Sequence, residues 1–549
     1  MPGRHAISRM THPLHKSLRM PSHKLFHKPS HLPTWRWLLY VVFMTIVVGL
    51  FLAWLSNKLM MGEVIKRATT RIYAPLLSLT YSDAGQQAIT VVTLDDTDLK
   101  EYGLSWPVPL DYYQRLLDGV VKRKPKAIFL DVLFLDNKPK REVDSLISAA
   151  CRATDAGIPF FLATFALESL SSDTERQLFA ARTNSGVPCV IPVRPNVTPD
   201  SLDQSQWAYP LRPRNDEEDK DDAALPDSVA LSMYCRLYPN TCPVNTEVPL
   251  ALIWATKAAP TNAATMVIRD KQGSLTPVCR DVWNWWEVIP GAVLFRKIAN
   301  MSMLPLCPYN QVIPVRAFKN YGFTAAQLDE ELQGKVVLIG ADLKSIGDNL
   351  FSPLHGRLPG VHVHAMALDN LISFDGKYRK DGDFEWHELW HSSANIFIFL
   401  SLLLTAAVMV PWNTYKKRVL ADDSHKKKLP PAPKALWLSK TRMVFLSPFM
   451  LLLGTPGLGK RGQTLFQWLL LPIIHVMIYV ALGFTVLLMG YYGFLQGPLS
   501  IIEYVLFPVL AEFLHLGETF ADRSKQIWQA LHESNPWAHW ALLSDKHKD

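Results

Sequence analysis

The sequence predicts an α/β fold, a mostly parallel sheet with an irregular insertion, held outside the cytoplasm by about four transmembrane α-helices. Three observations predict it. Short β-branched segments alternate with helix-patterned ones between residues 88 and 373, as in a parallel sheet covered on both faces. Uncharged apolar runs long enough to cross a bilayer bracket that block. All six cysteines fall between the first and second of these runs.

In the block itself, AITVVTLDD (88–96) reads as a strand ending in acids, DYYQRLLDGVVKR (111–123) has helical spacing, and AIFLDVLFLD (127–136) is again strand-like, which together make a βαβ unit. Further strands are expected at PFFLATF (159–165), PCVIPV (188–193) and KVVLIGAD (335–342). VHVHAMALDNLIS (361–373) reads as a strand running into a helix, with His362 and His364 on one strand face. The stretch from about 195 to 310 is irregular and proline-rich, carries the acidic run Asp216 to Asp222 and four of the six cysteines, and reads as an insertion or separate lobe.

The first apolar run, WLLYVVFMTIVVGLFLAWL (37–55), is long enough to span a hydrocarbon core and lacks the small-residue cleavage site of a signal peptide. Before it stand Arg4, Arg9, Lys16, Arg19, Lys24, Lys28 and Arg36 with no acid, which places the N-terminal arm in the cytoplasm. A second run, 396–410, is followed by the basic cluster Lys416, Lys417, Arg418, Lys426, Lys427 and Lys428, so the chain is expected to return there. The expected layout is a basic arm (1–36), helix (37–56), outer domain (57–393), helix (394–411), basic loop (412–463), helices at 464–492 and 499–516, and a cytoplasmic tail (517–549). Met443 to Gly454 contains Pro448 and is too short to span, which suits an interfacial or re-entrant segment. The overall charge of +8 is concentrated in the membrane flanks, so it argues for a lipid surface and gives no support to nucleic-acid binding.

Cys151, Cys189, Cys235, Cys242, Cys279 and Cys307 are an even set in one region, which suggests disulfides in an oxidising compartment. Sequence leaves the pairing open, with Cys235 and Cys242 the easiest local pair and buried thiols the competing reading. In open parallel sheets ligands bind beyond the carboxyl ends of strands. Asp95, Asp96, Asp131, Asp136, Asp342 and Asp348 follow predicted strands and could hold a cation, an amine or a basic peptide. An Asp in that position also commonly caps the next helix.

No catalytic or metal motif is expected to act. GTPGLGKR (454–461) has Arg461 where a phosphate loop needs Ser or Thr. The arm histidines (5, 12, 15, 23, 27, 31) are irregularly spaced, and no nucleophile elbow is present. No cofactor is expected, and the chain reads as a non-enzyme.

The pieces VVTLDDTDLKEYGLSWPVPLDYYQRLLDGVVKRKPKAIFLDVLF and GKVVLIGADLKSIGDNLFSPLHGRLPGVHVHAMALDNLI closely resemble the opening and closing motifs of the CHASE type 2 domain, an extracytoplasmic sensor of bacterial cyclases and histidine kinases. The carriers are Asp95, Asp96, Trp106, Pro107, Asp131, Gly340, Gly347, Asp348, Pro353, Pro359, Gly360, His364 and Asn370. The resemblance implies one membrane helix before the domain and three after it, in the inner membrane with the domain in the periplasm. It points to Asp95, Asp96, Trp106, Asp131, Asp348 and His364 as ligand-binding candidates. The chain departs from the family in having Leu110 where an Arg commonly follows the Trp-Pro motif, and in having only about 33 residues after the last apolar run, too few for a catalytic output domain. A sensor or receptor subunit acting through membrane or periplasmic partner proteins, or a second copy of itself, is therefore expected. The alternative is a scaffold subunit of an envelope, secretion or conjugation complex.

Overall fold

A computed structural model describes residues 81–381 apart from 166–171, 196, 198, 201–203, 213–225, 245, 261, 263–265, 270–274, 278, 281–303, 305, 320–322 and 344–348, together with the single positions 43, 78, 400, 404, 485 and 489. Apart from these single positions, the four apolar runs lie outside the described residues. Among the described residues no helix is long and apolar enough to cross a membrane.

The chain order is α1 (Ala84–Ala88), β1 (Ile89–Asp95), α2 (Asp96–Tyr102), α3 (Leu110–Val121), β2 (Ala127–Leu130), α4 (Lys140–Asp155), β3 (Phe160–Ala163), α5 (Asp173–Ala180) and β4 (Ile191–Val193). Then follow β5 (Ala208–Tyr209), α6 (Val229–Leu237), β6 (Leu250–Ala251), β7 (Val267–Arg269), β8 (Leu275–Pro277), β9 (Gln311–Pro314), a 3-10 turn (Val315–Lys319), α7 (Ala325–Leu332), β10 (Val336–Asp342), the hairpin β11 (Asn349–Ser352) and β12 (Gly356–Pro359), and α8 (Val361–Ser373). Six strands form one parallel sheet in the order β4-β3-β2-β10-β1-β9. The expected α/β class with a mostly parallel sheet is what the chain adopts.

Alternation along each strand divides the core in two. Val92, Leu94, Ile128, Leu130, Phe160, Leu162, Val337 and Ile339 face α3, α4, α5 and α7. Ile89, Val91, Ala127, Phe129, Phe161, Ala163, Val336 and Leu338 face α6 and α8. Both faces are covered, which is why these strands read as continuous apolar runs in place of alternating ones. Every crossover that moves toward β4 carries its helix on the first face. The return from β4 to β9 carries α6 on the second, as a constant crossover hand requires.

Much of the second core comes from the irregular segment: Tyr209, Leu211, Val229, Ala230, Met233, Tyr234, Leu252 and Trp254 pack directly against the sheet and α8. Sequence periodicity misses this because the strands there are two or three residues long. One expected element is corrected. Residues 361–364 are the first turn of α8 and not a strand, so His362 and His364, two apart, do not share a face as they would on a strand. Gly340 explains how α8 sits so close: a Cβ there would lie 2.6 Å from Val361 Cβ, so only a glycine lets the first turn of α8 rest on β10.

All six cysteines are paired: Cys151 with Cys189, Cys235 with Cys242, and Cys279 with Cys307. The first ties α4 to the approach to β4, and the second closes the end of α6.

Candidate functional site

The path of the chain singles out one edge of the sheet. β1 and β2 leave toward the first face, into α2–α3 and α4, whereas β10, lying between them, leads through the hairpin to α8 on the second face. Adjacent strands whose continuations diverge open a crevice at their carboxyl ends, where ligands of open α/β sheets bind. Asp95 and Asp342 are direct register partners at the ends of β1 and β10. Asp131 follows β2, and its N–H donates to Ile339 O.

Asp95 is fixed by local chemistry. It is the N-cap of α2, its carboxylate accepting from the Asp98 N–H at 2.8 Å while Asp98 accepts from the Asp95 N–H at 3.0 Å, a reciprocal capping box. Across the end of β9, Arg316 donates from Nη1 to Asp95 Oδ2 at 2.6 Å and to Asp98 Oδ1 at 3.3 Å, and its backbone N–H donates to Asp98 Oδ1 at 3.0 Å. The strand β1, the helix α2 and the turn after β9 are thus knotted by one guanidinium.

The charges are unequal in their exposure. Asp98 is fully buried, while the Asp95 side chain remains 26% exposed. Burial, then the neighbouring Asp95 charge, pushes the Asp98 carboxyl up to about 6, although Arg316 pulls the other way. Burial of Arg316 works against its charge, but the bonds to Asp95 and Asp98 outweigh that and raise its pKa. The two upward shifts thus have different causes, burial at Asp98 and the two carboxylates at Arg316, and Asp95 holds the shorter bond. Two carboxylates face one guanidinium, and Asp95 is the more exposed of the two.

Beside it an aromatic ladder runs from the end of α2 to the exit of β2. Tyr102 meets Tyr112, Tyr112 meets Tyr113, and Tyr113 meets Phe134, each edge-to-face. Lys319 Nζ lies 3.8 Å from the centroid of the Tyr102 ring. The hydroxyls of Tyr112 and Tyr113 are buried and have no hydrogen-bond partner among the described residues.

The six residues expected to bind ligand are not all brought together. Asp95 lies in the ionic cluster and Asp96 is exposed at the start of α2. Trp106, joined to Pro107 by a cis peptide, is half-buried against the first core. Asp131 is partly exposed after β2, and Asp348 lies outside the described residues. His364 is buried beneath the second face, its Nδ1 2.8 Å from the Tyr209 hydroxyl and its ring edge-on to Phe129; burial drops its pKa to about 3. It is a neutral, hydrogen-bonded core residue. Among the described residues, no three His, Cys, Asp or Glu side chains converge to hold a metal ion. Leu110, standing where the family commonly has Arg, is fully buried as the first residue of α3.

Sequence reading missed Asp98 and Arg316. The D-x-x-D spacing of Asp95 and Asp98 is itself a capping signal and was available. Arg316 is 221 residues from Asp95, and nothing local marks it.

A family model, the CHASE2 domain, matches residues 41–408. No curated protein and no solved structure matches the chain. The match begins inside the first apolar run, ends inside the second, and takes in the whole sheet with more than half of the sequence. The chain belongs to the CHASE2 domain family, whose domain is of the extracytoplasmic sensor type.

Proposed function

We propose that the chain is a non-catalytic, multi-pass inner-membrane receptor subunit whose periplasmic CHASE2 domain binds a cationic ligand or basic peptide at the carboxyl edge of its sheet and passes the change to a partner protein. The observation that carries this reading is the Asp95–Asp98–Arg316 cluster at the crevice beside β10. It places a partly exposed, geometrically fixed carboxylate at the carboxyl ends of strands whose continuations diverge, and it joins three elements that a ligand would shift together. Three disulfides suit an oxidising periplasm, and the basic flanks of the apolar runs suit a cytoplasmic arm and loop.

Thermal shift of the full chain in mild detergent tests the reading, using spermidine and a lysine-rich peptide as probes. A saturable rise in Tm is expected, lost in Asp131→Asn and reduced in Asp95→Asn. No rise with either probe, or a rise equal in both variants, contradicts it.

A scaffold role is favoured by a different observation. Leu135 and Phe165, beyond the neighbouring strands β2 and β3, are each 53% exposed. Stoichiometric co-purification of a membrane partner that is lost in Leu135→Ser and Phe165→Ser would support it.

A further inference from the structure

Asp369 sits in the middle of α8 and is fully buried. Three neutral groups from three parts of the chain donate to it: Tyr81 Oη to Oδ1 at 2.7 Å, Ser373 Oγ to Oδ1 at 3.1 Å, and Asn310 Nδ2 to Oδ2 at 2.9 Å. Tyr81 belongs to the lead-in that connects the first apolar run to α1, and Asn310 stands just before β9. Gly85 of α1 lies so close that a Cβ there would be 2.3 Å from Asp369 Cγ.

The same lead-in is held by uncharged contacts. The Tyr309 hydroxyl donates to Ser82 O at 2.9 Å, Gln86 Nε2 donates to Lys257 O and Tyr309 O, and the Tyr81 ring lies edge-on to Tyr309 and Phe374. The titratable groups acting on Asp369 and its partners are Tyr81 and Tyr309, with Asp83 acting on Tyr309. Lys257 pairs with Asp83 at 3.9 Å and Arg379 lies over Phe374. β1 and β10 face α8 with apolar side chains, Ile89, Val91 and Leu338 among them, and on α6 Tyr234 bonds Thr241. None of the ion pairs or hydrogen bonds described for Asp369 brings it a cation.

A buried carboxylate served, among the described residues, by neutral donors is costly in its charged form. We propose that Asp369 is a proton-operated latch that fastens the lead-in and α1 onto α8 when neutral and loosens them when ionised. Burial pushes its carboxyl up to about 7, against the lowering effect of its three donors. The sign follows from linkage. A carboxyl whose pKa is higher in the fastened state, about 7 against an ordinary 3.8, favours that state in acid, and the advantage is lost as pH rises through 7. The latch is independent of any ligand at the carboxyl edge. It makes protons outside the membrane an input in their own right, acting where the chain approaches its first apolar run.

Hydrogen–deuterium exchange on the full chain in mild detergent tests this, comparing about pH 6 with about pH 8 after correction for intrinsic rates. Protection of peptides spanning 78–90 and 361–375 is expected to fall about tenfold in the wild type, while peptides from α4 on the other face hold theirs. Asp369→Asn, a neutral isostere, keeps the acid-level protection at both values. Tyr81→Phe removes a donor that the ionised form needs and makes the fall larger than in wild type. The proposal is overturned by equal wild-type protection at both values, by loss in α4 of the same size, by Asp369→Asn unprotected at both, or by an equal or smaller fall in Tyr81→Phe.

Discussion

Arg316 and Asp95 meet at 2.6 Å across the end of β9, with the fully buried Asp98 completing the cluster at 3.3 Å from the same nitrogen. The guanidinium is itself nearly buried, its side chain 9% exposed, so removing it strands a buried carboxylate beside another. Arg316→Ala is expected to cost about 3–5 kcal/mol in chemical denaturation at neutral pH. Because burial pushes the Asp98 carboxyl up to about 6, the loss shrinks as pH falls below that value and Asp98 becomes neutral. A cost below 1 kcal/mol, or one that grows in acid, contradicts the assigned geometry.

The contact between Gly340 and Val361 offers a test of the second core. Gly340→Ala drives a methyl into the Val361 side chain, an overpacking expected to cost about 1–3 kcal/mol. The double variant Gly340→Ala with Val361→Gly, which removes the Cβ that the new methyl meets, is expected to recover part of that loss, measured as a double-mutant cycle. Strict additivity of the two substitutions counts against the close approach of α8 to β10.

The disulfides are expected to differ in worth by the loops they close. Cys151–Cys189 spans 38 residues and Cys235–Cys242 spans 7. Replacing the first pair by Ser is expected to destabilise by about 1.5 kcal/mol more than replacing the second, from chain entropy. Equal losses in urea titrations contradict that ordering.

Much of the sheet was legible because its strands are buried on both faces and rich in β-branched or aromatic residues, so β1, β2, β3, β4 and β10 fall within the expected segments. The local pair Cys235–Cys242 was legible from spacing. What failed was distance and composition. Val361 to His364 alternates like a strand, yet Gly340 leaves room for a helix there and His364 is taken up by Tyr209. The family-motif residue Asn370 is likewise structural, its side chain bonding both Ile253 N and Ile253 O in place of a strand partner. Of the candidate site, sequence located Asp95 through its place at the end of β1. Arg316, which gives Asp95 its geometry, comes from a turn whose proximity only the tertiary fold creates.

The most direct test of the central claim, that the disulfide-bearing domain faces outward between two apolar runs, is site-directed labelling in intact cells. Asp136, whose side chain is 77% exposed, is replaced by Cys in one variant and Ser17 of the basic arm in another, and each is treated with a membrane-impermeant maleimide. The account predicts that the Asp136→Cys chain is labelled once the outer membrane is made permeable and the Ser17→Cys chain only after the inner membrane is opened. Labelling of both under the same condition, or in the reverse order, contradicts it.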